Sequence, residues 1–180
     1  EKNLRANFPN QECKSLSVSD KMTTKSQFRV RMGENCWKII PAAITVSSEA
    51  KKRKANLYLS KGQNKYRHTL HPKRGRETIQ VNLISFKEEM AKYKPDGVKI
   101  DIEGAEIDIL ESVTPQDWES WNTKKLVFEY SFDIDNSIPR FLDIIDNLRQ
   151  YFSFVYYTKV KEDELVYNHF PAATIVYCQL

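Results

Sequence analysis

Asp101, Glu103 and Glu106 crowd three carboxylates into one short stretch, and Glu129 sits near the end of a later apolar run. Clustered carboxylates can accept protons or hold cations. Their setting decides whether they are placed to do either. In Val98-Lys99-Ile100-Asp101-Ile102-Glu103, apolar and ionisable residues alternate with the period of a β-strand. One face of that strand is apolar, and the other carries Lys99, Asp101 and Glu103. Gly104 then lets the backbone turn sharply or approach a ligand closely. Glu106-Ile107-Asp108-Ile109-Leu110-Glu111 reads as the opening turns of a helix. A strand that runs into a helix is half of a βαβ unit, and such strands are normally apolar on both faces. Ionisable groups are costly there unless they serve a site. Open α/β sheets place sites at the carboxyl ends of their strands. The plainer reading of the same pattern is a surface edge strand.

Other elements must hold this strand in position. Thr78-Ile79-Gln80-Val81-Asn82-Leu83 alternates as a strand, and Ser85 with Glu88 makes a capping box for a short helix through Tyr93. Pro95-Asp96-Gly97 turns the chain into the charged strand. Thr114 caps a further helix with Pro115 at its first position, and Trp118 and Trp121 share one face of it as packing residues. Leu126-Val127-Phe128-Glu129-Tyr130 is an apolar strand carrying Glu129. Ser137 caps a helix whose Phe141, Leu142, Ile144, Ile145 and Leu148 fall at helical spacing. Tyr151 to Tyr157 and Ala172 to Tyr177 read as two final strands. No crossover helix fits between them, so they are expected to be antiparallel.

The first part of the chain is less regular. Leu16 and Val18 fit a short strand, and Phe28 to Met32 alternates like another. Ile39 to Val46 is an apolar run of buried-strand length in which Pro41 calls for an irregularity. Ser47 to Lys54 is a polar turn with a basic run, and Ala55 to Ser60 is again strand-like. A β-hairpin appendage is therefore expected at about 44–60. The basic run reads as its solvated tip, with a phosphate contact as the alternative. Residues 61–77 read as a mobile loop carrying His68 and His71, placed to close over an anionic or sugar-bearing substrate. The two histidines are three apart, but no helical pattern surrounds them and no further ligand stands at useful spacing. No metal site is expected there. The whole order is that of an α/β sheet with one reversed edge strand.

At 180 residues the chain suits a single domain able to bury a core. No apolar run approaches membrane-spanning length, and the N-terminus has no signal-peptide core. Cys13, Cys36 and Cys178 are spaced as neither a disulfide framework nor a zinc site, which points to a reducing, cytoplasmic compartment. The net charge of +4 is local, because Lys51-Lys52-Arg53-Lys54 and Lys73-Arg74-Gly75-Arg76 supply most of the excess. Both runs lack interleaved aromatics, so nucleic acid is not an expected partner. Glu1 to Phe8 reads as the last turns of a helix without a cap or an initiator methionine. A start inside a longer protein is expected.

Lys99-Ile-Asp101-Ile-Glu103-Gly104-Ala-Glu106, with the Ile-Asp-Ile-Leu that follows, resembles the signature of FkbM-type methyltransferases. Asn3 to Asn7, Pro41 to Ile44 with the hairpin through Leu59, Thr78 to Ser85, and Phe128-Glu129-Tyr130 are similar to further segments of that family. The resemblance spans nearly the whole chain; residues 11–38 have no clear counterpart and read as an insertion. It implies a Rossmann-like methyltransferase sheet, mostly parallel with a reversed C-terminal strand and lacking its first strands in this chain. Residues 1–180 are then a single, partial domain. It also implies S-adenosylmethionine as cofactor and a hydroxyl of a sugar, glycolipid or secondary metabolite as acceptor. The Gly-rich cofactor turn and the acidic residue of the family's second strand are not found.

In the resembled chemistry a base takes the proton of the acceptor hydroxyl. Asp101 is the first candidate for that role, with a place beside the cofactor, and Glu103 and Glu106 are the second candidates. Three carboxylates holding a divalent cation are the alternative. Ala42 and Ala43 carry over to the adenine side of the cofactor. Lys99, Glu129, His68 and His71 are the candidate substrate contacts, Lys99 also being placed to pair with one of the carboxylates. The reading from another class is a non-catalytic, truncated methyltransferase-fold module that binds a carbohydrate or a protein partner.

Overall fold

The computed structural model describes residues 15–19, 37–59, 69–70, 72, 77–102, 104–132, 137–159 and 173–180. The chain divides into two compact units, Glu1–Ala43 and Ile44–Leu180. In the first, β1 (Ser15–Ser19) pairs in parallel with β2 (Trp37–Pro41), Ser15 opposite Trp37 and Ser19 opposite Pro41. Leu16 and Val18 are thus in a strand, as their alternation predicts. The strand expected over 28–32 lies outside the described residues. The apolar run through Pro41 is broken where the proline stands: β2 ends there, and the Ala42 N–H donates to the Ile40 carbonyl at 3.0 Å. The chain resumes as β3 (Ala43–Thr45) in another sheet.

The second unit carries two sheets. The first has the order β3-β5-β4, with β4 (Lys54–Tyr58) antiparallel to β5 (Thr78–Ser85). The hairpin expected at about 44–60 takes a different form. β3 and β4 do not pair with each other, because β5 enters between them and supplies ladder partners to both. The link from β3 to β4 is a single helical turn, α1 (Ser47–Ala50), and a reverse turn through Arg53. Ser85 then caps α2 (Phe86–Tyr93) by accepting from the Glu88 N–H at 3.3 Å. Lys94, left-handed at φ 43°, closes that helix with its N–H on the Met90 carbonyl.

The second sheet has the order β6-β7-β9-β8. β6 (Gly97–Ile100) leads through α3 (Ala105–Ser112) and α4 (Pro115–Trp121) to β7 (Lys125–Ser131), its parallel neighbour. α5 (Ile138–Arg149) leads to β8 (Phe154–Lys159), and β9 (Ala173–Gln179) returns between β7 and β8, antiparallel to both. The reversed strand is therefore internal and not at the edge. The crossover through α5 leaves a strand-wide gap beside β7, and the last strand fills it. Both sheets of this unit contain antiparallel pairs, so the class is α/β with mixed sheets.

Helix caps and apolar stripes explain the core. Thr114 and Asp117 form a reciprocal capping box around Pro115, and Ser137 caps α5. Phe141, Ile144, Ile145 and Leu148 of α5 are buried, while Leu142 on its other side is exposed. Trp118 and Trp121 pack edge to face, with Phe86 against both rings and Phe152 against Trp118. Their role is packing, as the sequence predicts. Arg140 forks onto Glu111 at 2.7 and 2.6 Å and reaches Asp108 at 3.3 Å, tying α5 to α3. Among the described residues no helix is long and apolar enough to cross a membrane.

Candidate functional site

The site is built where β6 and β7 end. Period-two alternation sends Val98 and Ile100 toward the helices and leaves Lys99 and Asp101 on the opposite face. A strand closed over on both sides would make these charges costly. Among the described residues β6 is instead an outer strand of its sheet, and Lys99 and Asp101 are exposed. The Lys99 ammonium donates to Asp101 Oδ2 at 2.9 Å. Exposure on this scale makes the contact a weak, orienting one, not a source of stability.

Past Asp101 the backbone reverses at Gly104, whose φ of 109° is one that residues with a Cβ rarely adopt. That reversal starts α3. Glu106, in the first turn of α3, folds back so that its Oε2 accepts the Gly104 N–H at 2.8 Å. The side chain is only 1% exposed. A carboxylate here meets the amide end of the helix, where negative charge is favoured. Glu106 therefore holds the turn that follows Asp101. Glu103 lies outside the described residues.

Register brings Glu129 to the same place. Ile100 opposite Phe128 is the last β6–β7 pair, so Asp101 and Glu129 are the next residue on each of two adjacent parallel strands. Such strands run about 4.8 Å apart. Glu129 is half-buried and stands opposite Ile175 of β9. The buried Tyr130 beside it donates from its hydroxyl to the Ser137 carbonyl at 3.2 Å, anchoring the start of α5 to the strand end. That framing contact was not foreseen in the sequence. A phenol closing an otherwise apolar run, seven residues before a capping serine, was the available signal.

The remaining candidates are placed less tightly. Ala42 and Ala43 are both buried. His68 and His71 lie outside the described residues. Thr69 between them is buried and bridged to Tyr58 by two backbone hydrogen bonds, of 2.9 and 3.2 Å, which pins that point of the 61–77 segment to β4. Among the described residues no group of three His, Cys, Asp or Glu side chains is gathered to hold a metal ion. The structure thus brings together Lys99, Asp101, the Gly104 turn with Glu106, and Glu129.

No curated protein and no solved structure matches the chain. A family does. The matched stretch runs from ahead of β1 into β8 and includes every described residue of the site. Residues 9–156 match the Methyltransferase FkbM domain, and the chain belongs to that family.

Proposed function

We propose that the chain is an S-adenosylmethionine-dependent O-methyltransferase with a Rossmann-like sheet, working in the cytoplasm. Its acceptor is a hydroxyl of a sugar, glycolipid or secondary metabolite. The observation that carries this reading is the placement of Asp101 and Glu129 one step beyond the last β6–β7 pair, beside the Gly104 turn. The β6-β7-β9-β8 order, with its reversed last strand, supports the same reading.

Asp101 is exposed at a strand's carboxyl end, which suits meeting an acceptor hydroxyl. Ala42 and Ala43 are buried, and the glycines, at 33, 62, 75, 97 and 104, are nowhere clustered in the sequence as a Gly-rich motif would be. The residues described fit the acceptor side of the reaction and not the cofactor side. When bound, the cofactor supplies an electrophilic methyl group on a sulfonium sulfur. Asp101 takes the proton of the acceptor hydroxyl at a carboxylate oxygen. Lys99, 2.9 Å away, aims that carboxylate. Glu106 fixes the turn, and Glu129 faces the acceptor from the neighbouring strand. Glu103 is the second candidate base, and His68 and His71 are the candidate acceptor contacts.

A base of this kind contributes about 10²–10⁴-fold, so Asp101→Asn is expected to lower turnover by that factor and leave cofactor affinity unchanged. A fully active Asp101→Asn enzyme removes the assignment. Calorimetric titration of the protein with S-adenosylmethionine is expected to give heat. No heat would favour the non-catalytic module that binds a carbohydrate or protein partner.

A further inference from the structure

Lys51, Lys52, Arg53 and Lys54 are four consecutive exposed cations, three on the reverse turn after α1 and the fourth opening β4. Among the described residues only Lys52 of the four is in an ion pair, with Glu49 at 2.6 Å. The turn is rigidly framed. The Lys52 and Arg53 N–H groups donate to the Glu49 and Ala50 carbonyls at 3.0 and 2.9 Å, and the Arg53 carbonyl accepts from Leu83 of β5 at 2.8 Å. Arg53 itself is left-handed at φ 63°, a conformation for which glycine or asparagine is the usual residue.

We propose that this turn is a docking surface for an anionic lipid bilayer. Three cations without an ion pair among the described residues, on and beside a framed turn, match a surface of fixed negative charge, to which each Lys or Arg adds its own attraction. All four side chains are exposed and so can meet a charged surface. No aromatic residue occurs between Ser47 and Lys54 to stack on bases, which disfavours single-stranded nucleic acid. No large apolar residue occurs there either, so the contact is electrostatic and screened by salt. The inference is independent of the proposed reaction.

Flotation with phosphatidylcholine vesicles containing about one third phosphatidylserine tests it, using the full chain. Binding is expected at low salt, with none to pure phosphatidylcholine and none at about 0.5 M salt. Exchanging Lys51, Arg53 and Lys54 together for alanine is expected to weaken binding by at least about tenfold. Arg53→Gly separates charge from folding: it relieves the left-handed residue, so the melting temperature is expected to hold or rise while vesicle binding falls. Unchanged binding by the triple variant overturns the proposal, as does equal binding to neutral vesicles. A mixed oligonucleotide pool that outcompetes the vesicles through the same three side chains overturns it in favour of nucleic acid.

Discussion

On β6 and β7 the two faces of one pair of strands have different surroundings. Leu126, Phe128 and Tyr130 are wholly buried at 0% exposure, and Ile100 nearly so at 3%, all within the cluster formed with α3, α4 and α5. Lys99, Asp101, Val127 and Glu129 occupy the other face and are exposed or half-buried. Adjacent residues of a strand point to opposite sides. Asp101 and Ile100 are therefore neighbours in the chain with separate surroundings. Stability and chemistry should respond separately to substitutions one residue apart.

The sharpest way to break this comparison is to strike each face in turn. Phe128→Ala empties a fully buried aromatic site and is expected to cost about 3–5 kcal/mol, read as a fall in the urea midpoint. Asp101→Asn, one pairing step further along the sheet, is expected to stay within about 0.5 kcal/mol of the parent. Its effect should fall on turnover instead. A destabilised Asp101→Asn, or a Phe128→Ala of parental stability, would show the two faces to be coupled.

Gly104→Ala tests the hinge between the faces. A Cβ at φ 109° is strained, and a position of this kind costs about 1–3 kcal/mol. The chain can avoid the strain only by moving the turn that Glu106 holds. The expectation is a loss of both stability and turnover, the one substitution of the series to affect both. Turnover at the parental level in a folded Gly104→Ala would separate the turn from the site.

How far the sequence foretold this arrangement depends on how local each cause is. The helix over Ile138–Arg149 was legible because a serine cap and apolar residues at helical spacing lie in one window. The charged face of β6 was legible for the same reason. The internal position of β9 was not, because filling the gap beside β7 depends on where α5 delivers β8. β5 was similarly hidden as the partner of both β3 and β4, since its pairing closes a loop of about 20 residues and no local turn signal reports it. Leu142 looked like core from its type alone, and its exposure follows from which side of α5 meets the sheet. Glu106 read as one more member of an ionisable cluster. Its burial follows from its place two residues past the Gly104 turn, which makes it a clasp on the helix end.

A smaller effect sharpens the comparison on the packed side, where charge is admitted only when bound. Burial works against the charge of Asp117, but Lys87 at 2.7 Å and the amide and hydroxyl of Thr114 outweigh it and hold the carboxyl below the ordinary carboxylate value. A folded-state pKa below the unfolded one adds stability above the unfolded pKa, and that stability is lost as pH falls through the folded one. Asp117→Asn is expected to cost about 1 kcal/mol at neutral pH. The gap from the parent should close below about pH 4, as both carboxyl states converge on neutrality. A gap that stays constant well below that pH would mean the clasp acts by shape alone.

The smallest effect belongs to Cys178, on the packed face of β9 opposite Leu126 and Val155. Burial pushes its thiol up to about 12, so at pH 8 about one molecule in 10⁴ carries the thiolate that alkylating reagents need. An unfolded cysteine loses its proton near pH 8.5, whereas the folded one keeps it to about 12. Stability from this residue is thus fully present below about pH 8.5 and declines as pH rises toward the folded value. Iodoacetamide at pH 8 should leave the Cys178 peptide unmodified in native protein and label it fully in urea, with the peptide followed by mass spectrometry. The same reagent applied to Phe128→Ala joins the two ends of the series. Val176, the β9 partner of Phe128, lies two residues from Cys178, so emptying that site should raise native-state labelling. Protection that persists in Phe128→Ala would mean that the β7–β9 ladder, and not the aromatic packing beneath it, keeps reagent from this face.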